Sequence, residues 1–376
     1  MPSPTGRSYQ VISADSHVVE PPDLWEKWLP EKFRDRAPKL VKDSEGGDAW
    51  LYDPNGEPAP LGLVSCVAIP REKMKWTGFR YGDNVHASVH DGKERLAVLD
   101  FDGVDAEFLY PPQRAVNSFA LYDDVELQLA GIGAYNRWLS EGFCAADPDR
   151  LFGVAQMPNV GIDTAVSSLR DAAAAGFRGV VISAWPSGNE KLTRADDPFW
   201  AAAEELGIPV SIHFGLASQT AGHVPAEEAA GAIGAVTGMV KMSVLMVDLI
   251  FSGVFDRFPG LQIVAVEVGI GWIPHAAEMM DDRYWRNRTG ARTMLNKLPS
   301  VYLKENWTSS YIVDRIGIQV RHAVGINNIC WSTDFPHHGN DYPYSRETID
   351  NHFTNVPEDE RDKILAGNAA RLYGMV

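Results

Sequence analysis

The sequence predicts a single-domain (β/α)8 TIM barrel, and three observations support that prediction. Short apolar runs alternate with longer segments of helical periodicity, as in parallel βαβ units. Polar residues suited to chemistry stand at the ends of several of these runs, where barrel enzymes place their active sites. The 376 residues, of which 45% are hydrophobic and 22% charged, suit one domain over residues 1–376 with a large core.

Seven apolar runs are predicted to be strands buried on both faces, because each is short and rich in β-branched residues. They span residues 9–14, 106–110, 151–156, 179–183, 209–213, 262–267 and 328–334. A weaker pattern predicts the eighth strand at residues 300–305. Together these runs supply the eight strands that a closed barrel of this type needs.

Helices are predicted between the strands from the spacing of apolar residues. They span residues 125–146, 163–175, 197–206, 272–286 and 358–372. The helix at 197–206 begins with Asp197-Pro198 and is followed by Gly207, which are residues that commonly start and end helices. The alternation of these helices with the strands indicates parallel crossover connections.

Two segments interrupt the alternation of strands and helices. Residues 30–92 are rich in Pro and Gly and separate the first strand from its helix, so we predict a long, lid-like insertion after strand one. A shorter loop at residues 215–232 follows the fifth strand and is a second candidate lid. Both follow the carboxyl end of a strand, which is the side on which barrel active sites lie.

The charge and the cysteine content restrict the class of protein. A net charge of −16 argues against nucleic acid and anionic membrane as partners, because both require basic surface. Cys66, Cys144 and Cys330 contain no CxxC pair and fit free thiols in a reducing compartment. Without a signal-like or spanning apolar stretch, the sequence predicts a cytoplasmic protein. A homodimer is expected only because dimers are the commonest oligomers.

Polar residues at the ends of the predicted strands form a candidate metal site. Asp15 and His17 close the first strand, two residues apart, so both side chains leave an extended backbone on the same side. His213 closes the fifth strand, Glu267 the sixth and Asp334 the last. A closed barrel brings strand ends together around one axis. Imidazoles and carboxylates converging there are suitable ligands for a divalent ion such as zinc or manganese.

Each of these residues alone has a structural alternative. A histidine at a strand end is more often hydrogen-bonded within the core than bound to metal, and a strand-end aspartate often caps the following helix. The occurrence of such residues on four separate strands, with the Asp15/His17 pair on the first, favours the interpretation as ligands.

Six motifs distributed along the chain indicate a family. They are VISADSHVVEP (residues 11–21), RLAVLDFDGVDAEFLYP (95–111), IHFG (212–215), EVGIGWIP (267–274), CWSTDFPH (330–337) and NAARLYG (368–374). In this order and spacing the chain resembles the amidohydrolase superfamily, specifically the amidohydrolase-2 group related to aminocarboxymuconate-semialdehyde decarboxylase. The resemblance runs from about residue 9 to residue 373 and implies a (β/α)8 barrel with one divalent ion, for which we expect zinc ahead of manganese.

The resemblance also implies roles for the strand-end residues. Asp15, His17, His213 and Asp334 correspond to metal ligands, and Asp334 additionally to the acceptor of a proton from bound water. Asp15 departs from the histidine or glutamate usual at its position, but its carboxylate remains a competent oxygen ligand. Glu267 stands where decarboxylating relatives carry a catalytic histidine. Its role remains open between an outer partner of His213 or of a substrate group, a general base and an additional ligand.

The replacement at Glu267 leads us to predict a hydrolase. The expected reaction is hydrolysis of a small, carboxylate-bearing cyclic or aromatic compound by a metal-activated water, with Asp334 and Glu267 as the catalytic residues. The close alternative is non-oxidative decarboxylation of an aromatic or muconate-type acid by a metal-dependent carboxy-lyase. A non-catalytic barrel scaffold is a third alternative, and the retention of four candidate ligands argues against it.

Candidate substrate-binding residues lie in the insertion and after the last strand. A basic and aromatic cluster in the insertion contains Arg71, Lys73, Lys75, Trp76, Arg80 and Tyr81. Arg80 and Trp76 are predicted to bind an anionic, planar small molecule by charge and stacking, and the alternative is a solvated loop. His337 closely follows Asp334, and it either faces the substrate or has a structural role.

Overall fold

The structure is a computed structural model that describes residues 6–112, 124–214, 216, 230–290 and 294–376. Internal contacts divide the chain into two compact units. The first comprises Met1–Pro158, Ser332–Asn351 and Val376, and the second comprises Asn159–Trp331 and His352–Met375. That the whole chain forms one domain stays a prediction.

The first unit contains the first strands and the insertion. Its elements are β1 (Ile12–His17), α1 (Leu24–Trp28), β2 (Lys39–Lys42), β3 (Asp48–Leu51), β4 (Ala59–Pro60), α2 (Gly92–Asp102), β5 (Ala106–Tyr110), α3 (Val125–Arg137) and β6 (Leu151–Gln156). Helix α2 begins after Asp91, whose carboxylate accepts hydrogen bonds from the backbone N–H groups of Lys93 and Glu94. It ends at Gly103, where φ is 73°, a conformation that favours glycine.

The second unit contains the remaining strands and most of the later helices. Its elements are α4 (Ile162–Ala174), β7 (Gly179–Ile182), α5 (Asp197–Leu206), β8 (Val210–His213), α6 (Ala230–Phe251), α7 (Val254–Arg257), β9 (Ile263–Val266), α8 (Ile273–Asn287), α9 (Pro299–Asn306), β10 (Trp307–Tyr311), α10 (Arg315–Gln319), α11 (Arg321–Val324) and β11 (Ile329–Trp331). Near the carboxyl end, α12 (Ser345–His352) belongs to the first unit except for its last residue, and α13 (Glu358–Asp362) and α14 (Asn368–Leu372) belong to the second.

Eight strands form one sheet in the order β1-β5-β6-β7-β8-β9-β10-β11. Ladders within each unit are parallel, so each crossover connection runs from the carboxyl end of one strand to the amino end of the next. This arrangement of strands and helices is the (β/α)8 barrel fold, and the fold class predicted from the sequence is confirmed. Catalytic and metal-binding side chains are therefore expected at the carboxyl ends of the strands.

The prediction of the eighth strand was wrong. Residues 300–305 belong to helix α9, which Pro299 begins and whose neighbouring side chains Tyr302 and Leu303 are both buried. The strand follows as β10, with the sequence WTSSY. Its polar residues lie inside: Trp307 Nε1 donates to Ser309 Oγ at 3.0 Å, and the hydroxyl of Ser310 accepts from the backbone elsewhere in the unit. Hydropathy does not reveal a strand whose hydroxyl groups are hydrogen-bonded within the core.

The first strand also differs from its predicted bounds. It spans Ile12–His17 and not residues 9–14, so Asp15 and His17 lie within the strand and not beyond it. The reason is backbone pairing with β5, in which Ser16 faces Leu109 and His17 faces Tyr110. Pairing of main-chain groups does not depend on side-chain polarity, and it extends the strand through this polar end.

The insertion is more ordered than its Pro- and Gly-rich composition suggests. Strands β2, β3 and β4 form a separate three-stranded antiparallel sheet within it. Two backbone hydrogen bonds of 2.8 Å join the insertion to the segment after β11: Cys66 donates to Pro336, and His338 donates to Leu63. The insertion thus packs against the segment that carries Asp334. Its role as a lid stays a prediction, and residues 215 and 217–229 of the second candidate lid lie outside the described residues.

Two expectations from composition can be compared with the structure. Among the described residues, none of the helices combines the length and the apolarity needed to cross a membrane. Cys66, Cys144 and Cys330 are buried, free thiols. Burial raises the pKa of the Cys144 and Cys330 thiols, which keeps them protonated and unreactive.

Candidate metal centre

The carboxyl end of β1 carries the first two candidate ligands. Asp15 and His17 are completely buried, and His17 Nε2 lies 3.5 Å from Asp15 Oδ1. The ladder between β1 and β5 shifts its register between Ser13 and Ser16. An irregularity of this kind redirects the side chains that follow it, and such features are common beside active sites.

The segment after β11 brings Asp334 and His337 to the same place in the first unit. Asp334 Oδ1 lies 3.4 Å from His17 Nε2 and 2.9 Å from His337 Nδ1. The rings of His17 and His337 stack with centroids 3.9 Å apart and planes inclined by 15°. Backbone bonds join the two segments: Asp334 donates to Asp15 at 3.0 Å, and His17 donates to Phe335 at 2.6 Å. The two segments are therefore held together by main chain as well as by side chains.

The geometry of this group fits a divalent ion. His17, Asp334 and His337 each offer one ligand atom, and these atoms all lie within 4.8 Å of one another. Two ligand atoms that each lie about 2.1 Å from one ion are separated by about 3.0–3.5 Å. The distances of 3.5 and 3.4 Å from His17 Nε2 to the two carboxylates are in that range. Buried carboxylates are normally paired or bound to metal, so this donor set is a candidate metal site.

The charge state and backbone of Asp334 also favour a ligand role. Burial raises the pKa of this carboxyl group, but the neighbouring His337 and His17 imidazoles outweigh burial and hold the pKa well below its usual range. Asp334 is therefore ionised, as a ligand must be. Its backbone has a φ of 55°, an uncommon conformation for a residue with a side chain and one that recurs at functional sites.

A cluster of buried hydroxyl groups underlies the two ligand segments. The Ser13 hydroxyl donates to the Asp15 carbonyl at 2.8 Å and accepts from the Thr333 backbone N–H at 2.9 Å. Its oxygen also lies 3.0 Å from Ser16 Oγ and 2.9 Å from Thr333 Oγ1. One side chain of β1 thus connects the residue beside Asp334 to the residue beside His17.

Ser13→Ala is expected to destabilise the protein by about 1–3 kcal/mol, because the Thr333 N–H would stay buried without an acceptor. Ser65→Ala is the matched control, since Ser65 is equally buried but its hydroxyl makes one bond, to the Leu61 carbonyl at 2.6 Å. Thermal unfolding of the metal-free proteins measures both effects. A loss of stability in Ser13→Ala no greater than in the control would show that the cluster does not connect the segments.

The second unit holds the other two strand-end residues. His213 is the last residue of β8 and Glu267 directly follows β9, which pairs with β8. His213 Nε2 lies 3.8 Å from Glu267 Oε2. Glu267 has a φ of 60°, and its N–H donates to Ser310 Oγ at 3.1 Å. This separation is too long for a direct hydrogen bond between the two atoms, so the predicted roles of Glu267 as outer partner, general base or additional ligand all stay open. That His213 is a ligand of the same ion stays a prediction.

The candidate substrate residues of the insertion lie at its surface. Arg80 is exposed, and its Nε donates to the carbonyl of Gly46 at 2.9 Å. Trp76 is 58% exposed, and the neighbouring Lys75 forms an ion pair with Glu45. These contacts favour the alternative of a solvated loop. Substrate binding by Arg80 and Trp76 stays a prediction, whereas His337 lies within the candidate metal centre.

Sequence analysis overlooked one buried ion pair close to this centre. Arg95 of α2 and Glu107 of β5 are fully buried, with 2.8 Å between Arg95 Nη1 and Glu107 Oε1. A glutamate in the otherwise apolar run AEFLY, at residues 106–110, was the available indication. A charged residue in a buried strand requires a partner of opposite charge, which could have been sought in the same motif.

A barrel with imidazole and carboxylate groups gathered at the ends of its strands defines a class of enzymes that act with bound metal. The profile of the family described as Amidohydrolase matches residues 84–375, so the chain belongs to that family. The resemblance inferred from the motifs is confirmed, and the protein is an enzyme of the amidohydrolase superfamily.

Three similar proteins extend this assignment. Gamma-resorcylate decarboxylase of Rhodococcus jostii is 28% identical over 332 residues, which are 83% of this chain and 98% of that protein. The structure of an amidohydrolase from Mycobacterium avium subsp. paratuberculosis has a TM-score of 0.72 at 22% identity, covering 98% of this chain and 100% of that chain. A dihydroxybenzoic acid decarboxylase from Polaromonas sp. JS666, with bound manganese and the inhibitor 2-nitroresorcinol, has a TM-score of 0.63 at 18% identity, covering 98% and 97%.

Proposed function

We propose that this protein is a metal-dependent decarboxylase that removes the carboxyl group of a hydroxylated aromatic acid without oxidation. The observation that carries the proposal is the buried group formed by His17, Asp334 and His337, with Asp15 beside it, in a chain similar over 83% of its length to a gamma-resorcylate decarboxylase. The similar protein indicates the class of substrate, and the group around His17 contains residues that are suited to bind a metal ion.

The similar proteins favour the alternative of decarboxylation over the hydrolysis that the sequence analysis preferred. The preference for hydrolysis depended on Glu267 alone. Its carboxylate oxygen lies 3.8 Å from His213 Nε2, a separation compatible with an outer partner, a general base and an additional ligand alike. The presence of glutamate at this position therefore does not select hydrolysis.

The reaction requires one proton and no oxidant. The bond between the ring and the carboxyl carbon breaks, its electron pair stays on the ring, carbon dioxide leaves, and the ring carbon gains a proton. A hydroxyl group beside the carboxyl group stabilises the negative charge that the ring must accept. A divalent ion, when bound, supplies positive charge that favours an anionic oxygen donor of the substrate.

The residues of the first unit would have separate roles in this reaction. Asp15, His17 and Asp334 would hold the ion, since His17 Nε2 lies between the two carboxylates at 3.5 and 3.4 Å. His337 would hold the proton that the ring carbon receives, and the ionised Asp334 would orient its ring, because 2.9 Å separates Asp334 Oδ1 from His337 Nδ1. Asp15, His17 and Asp334 are buried, and the exclusion of water around them strengthens their electrostatic interactions with an ion and a substrate.

The identity of the ion belongs to the same proposal. Carboxylate oxygen and imidazole nitrogen suit both manganese and zinc, so the donor set leaves the choice between them open. Zinc was the expectation from the sequence. The Polaromonas decarboxylase holds manganese. We therefore propose that the purified protein be supplied first with manganese and, for comparison, with zinc.

Purified protein supplied with Mn²⁺ is expected to convert 2,6-dihydroxybenzoate into resorcinol with one carbon dioxide released per ring. Carbon dioxide capture and chromatography of the ring product measure the two yields. Benzoate, which lacks the hydroxyl groups, is the control and should not react. Cleavage of lactones or amides without carbon dioxide from any aromatic acid of a panel would contradict the proposal. Binding of the ion with no turnover on the panel would instead support the scaffold alternative.

A further inference from the structure

Arg95 is a fully buried arginine whose guanidinium group contacts the candidate metal centre. Its side chain is fully buried and makes three directed hydrogen bonds. Nη1 binds Glu107 at 2.8 Å, Nε donates to the Ser88 carbonyl at 2.8 Å, and Nη2 donates to the His17 carbonyl at 2.6 Å. The third bond attaches this side chain directly to the backbone of a candidate ligand.

The same guanidinium group also contacts the other ligand segment. Its central carbon lies 4.4 Å from the ring centroid of Phe335, the residue that follows Asp334. The Phe335 carbonyl in turn accepts the His17 N–H at 2.6 Å. Both polar backbone groups of His17 are thus held, one by Arg95 and one by the residue on which Arg95 stacks.

Stability alone is a poor explanation for this arrangement. Removing an arginine and a glutamate from water costs about several kcal/mol per ion, and the attraction between them often repays no more than that. In other proteins, replacing a buried ion pair by an apolar pair of similar volume is often neutral or stabilising. The distinctive property of the buried guanidinium is its direction, because one rigid, planar group makes three bonds in defined orientations.

We propose that Arg95 is a positioning residue of the metal centre, which fixes the His17 backbone and the Phe335 ring so that His17 and Asp334 meet at ligand distance. The inference rests on the proposed metal dependence, but not on the choice of substrate. Glu107 balances the charge of the guanidinium, so the pair adds no net charge that would repel a divalent cation.

Arg150 offers a matched control in the same unit. Its guanidinium also binds two backbone carbonyls, those of Asp105 at 2.7 Å and Val104 at 3.2 Å, and one carboxylate, that of Asp100 at 2.7 Å. These partners precede β5, at the opposite end of that strand from Tyr110, the residue paired with His17. Lysine at either position keeps the charge and removes the planar set of donors.

Titration of the metal-free proteins with Mn²⁺ tests the proposal. Arg95→Lys is expected to weaken Mn²⁺ binding about 10- to 100-fold, the range observed when residues that orient ligands are changed. Arg150→Lys should keep the dissociation constant within about twofold of the wild-type value, even if its unfolding temperature falls as far as that of Arg95→Lys. The electron paramagnetic resonance spectrum of bound Mn²⁺ should change in Arg95→Lys only, because a purely structural role would not alter the ligand geometry.

Equal Mn²⁺ affinity in Arg95→Lys and the wild type, or equal loss in both lysine variants, would overturn the proposal. If Arg95→Lys does not fold, Phe335→Leu and its control Phe143→Leu replace it, since Phe143 lies under the same guanidinium at 5.5 Å. A weaker affinity is then expected for Phe335→Leu alone, and equal affinities would overturn the proposal. Absence of Mn²⁺ binding to the wild type would overturn it together with metal dependence, whereas absence of carbon dioxide release would overturn only the reaction.

Discussion

Replacement of His17 by alanine is expected to abolish stoichiometric binding of a divalent ion and to lower decarboxylation by more than about 100-fold. His17 Nε2 lies within 3.5 Å of the carboxylates of Asp15 and Asp334, so its loss removes the nitrogen donor between two oxygen donors. Elemental analysis and Mn²⁺ titration of the purified variant measure the effect. His338→Ala is the control, because His338 is exposed and is joined to Leu63 only through its described backbone N–H.

The outcome for His17 also determines how far the ligand assignment holds. Full metal occupancy in His17→Ala would show that the buried group in the first unit is not the metal site. His213→Ala is expected to lose the ion as well, by the prediction that strand ends of a barrel share one axis. Retention of the ion in His213→Ala, with loss in His17→Ala, would remove His213 alone from the ligand set.

The second large effect is expected from Asp334→Asn, which should lower kcat by about 100-fold or more while the fold persists. Asparagine keeps the size and one oxygen ligand, but it removes the negative charge beside His337, whose Nδ1 lies 2.9 Å from Asp334 Oδ1. It also tolerates the φ of 55° at this position as well as aspartate does. Steady-state kinetics, together with the metal content of the same sample, separate loss of proton transfer from loss of the ion.

Glu267→Gln is the comparison for that experiment. If Glu267 only orients His213, glutamine should lower kcat by about tenfold or less, because the amide oxygen can still accept a hydrogen bond. Loss of turnover as large as in Asp334→Asn, with the ion retained, would instead give Glu267 a catalytic role. That result would exclude the role of a mere outer partner of His213.

The candidate site was predictable from the sequence where a polar residue ends an apolar run. Asp15, His17 and Asp334 were singled out because polar groups at the ends of several strands are expected to converge around the axis of a closed barrel. His337 was noted only for its position near Asp334. Its stacking on His17 at 3.9 Å depends on the course of the chain after β11, which no periodicity describes.

Contacts between segments distant in sequence could not be predicted in the same way. The bond between Ser13 and Thr333 joins residues 320 positions apart, and it forms only after β1 and the segment that follows β11 have packed together. Arg95 and Glu107 are 12 residues apart, but their pairing depends on the inward direction of both side chains. Sequence pattern gives the polarity of a residue and not the identity of its partner.

The sequence by itself determined the barrel class and most of the strands that carry the candidate site, because apolar periodicity reports which faces must be buried. It also determined the family, through motifs in a specific order. Only the tertiary structure decided that residues 300–305 are helical and that the polar run WTSSY is the strand. The tertiary structure alone also decided that the Arg95 side chain donates a hydrogen bond to the backbone carbonyl of His17. The reason is that hydrogen bonds satisfy polar groups inside the protein, and the geometry of those bonds exists only after distant segments have packed together.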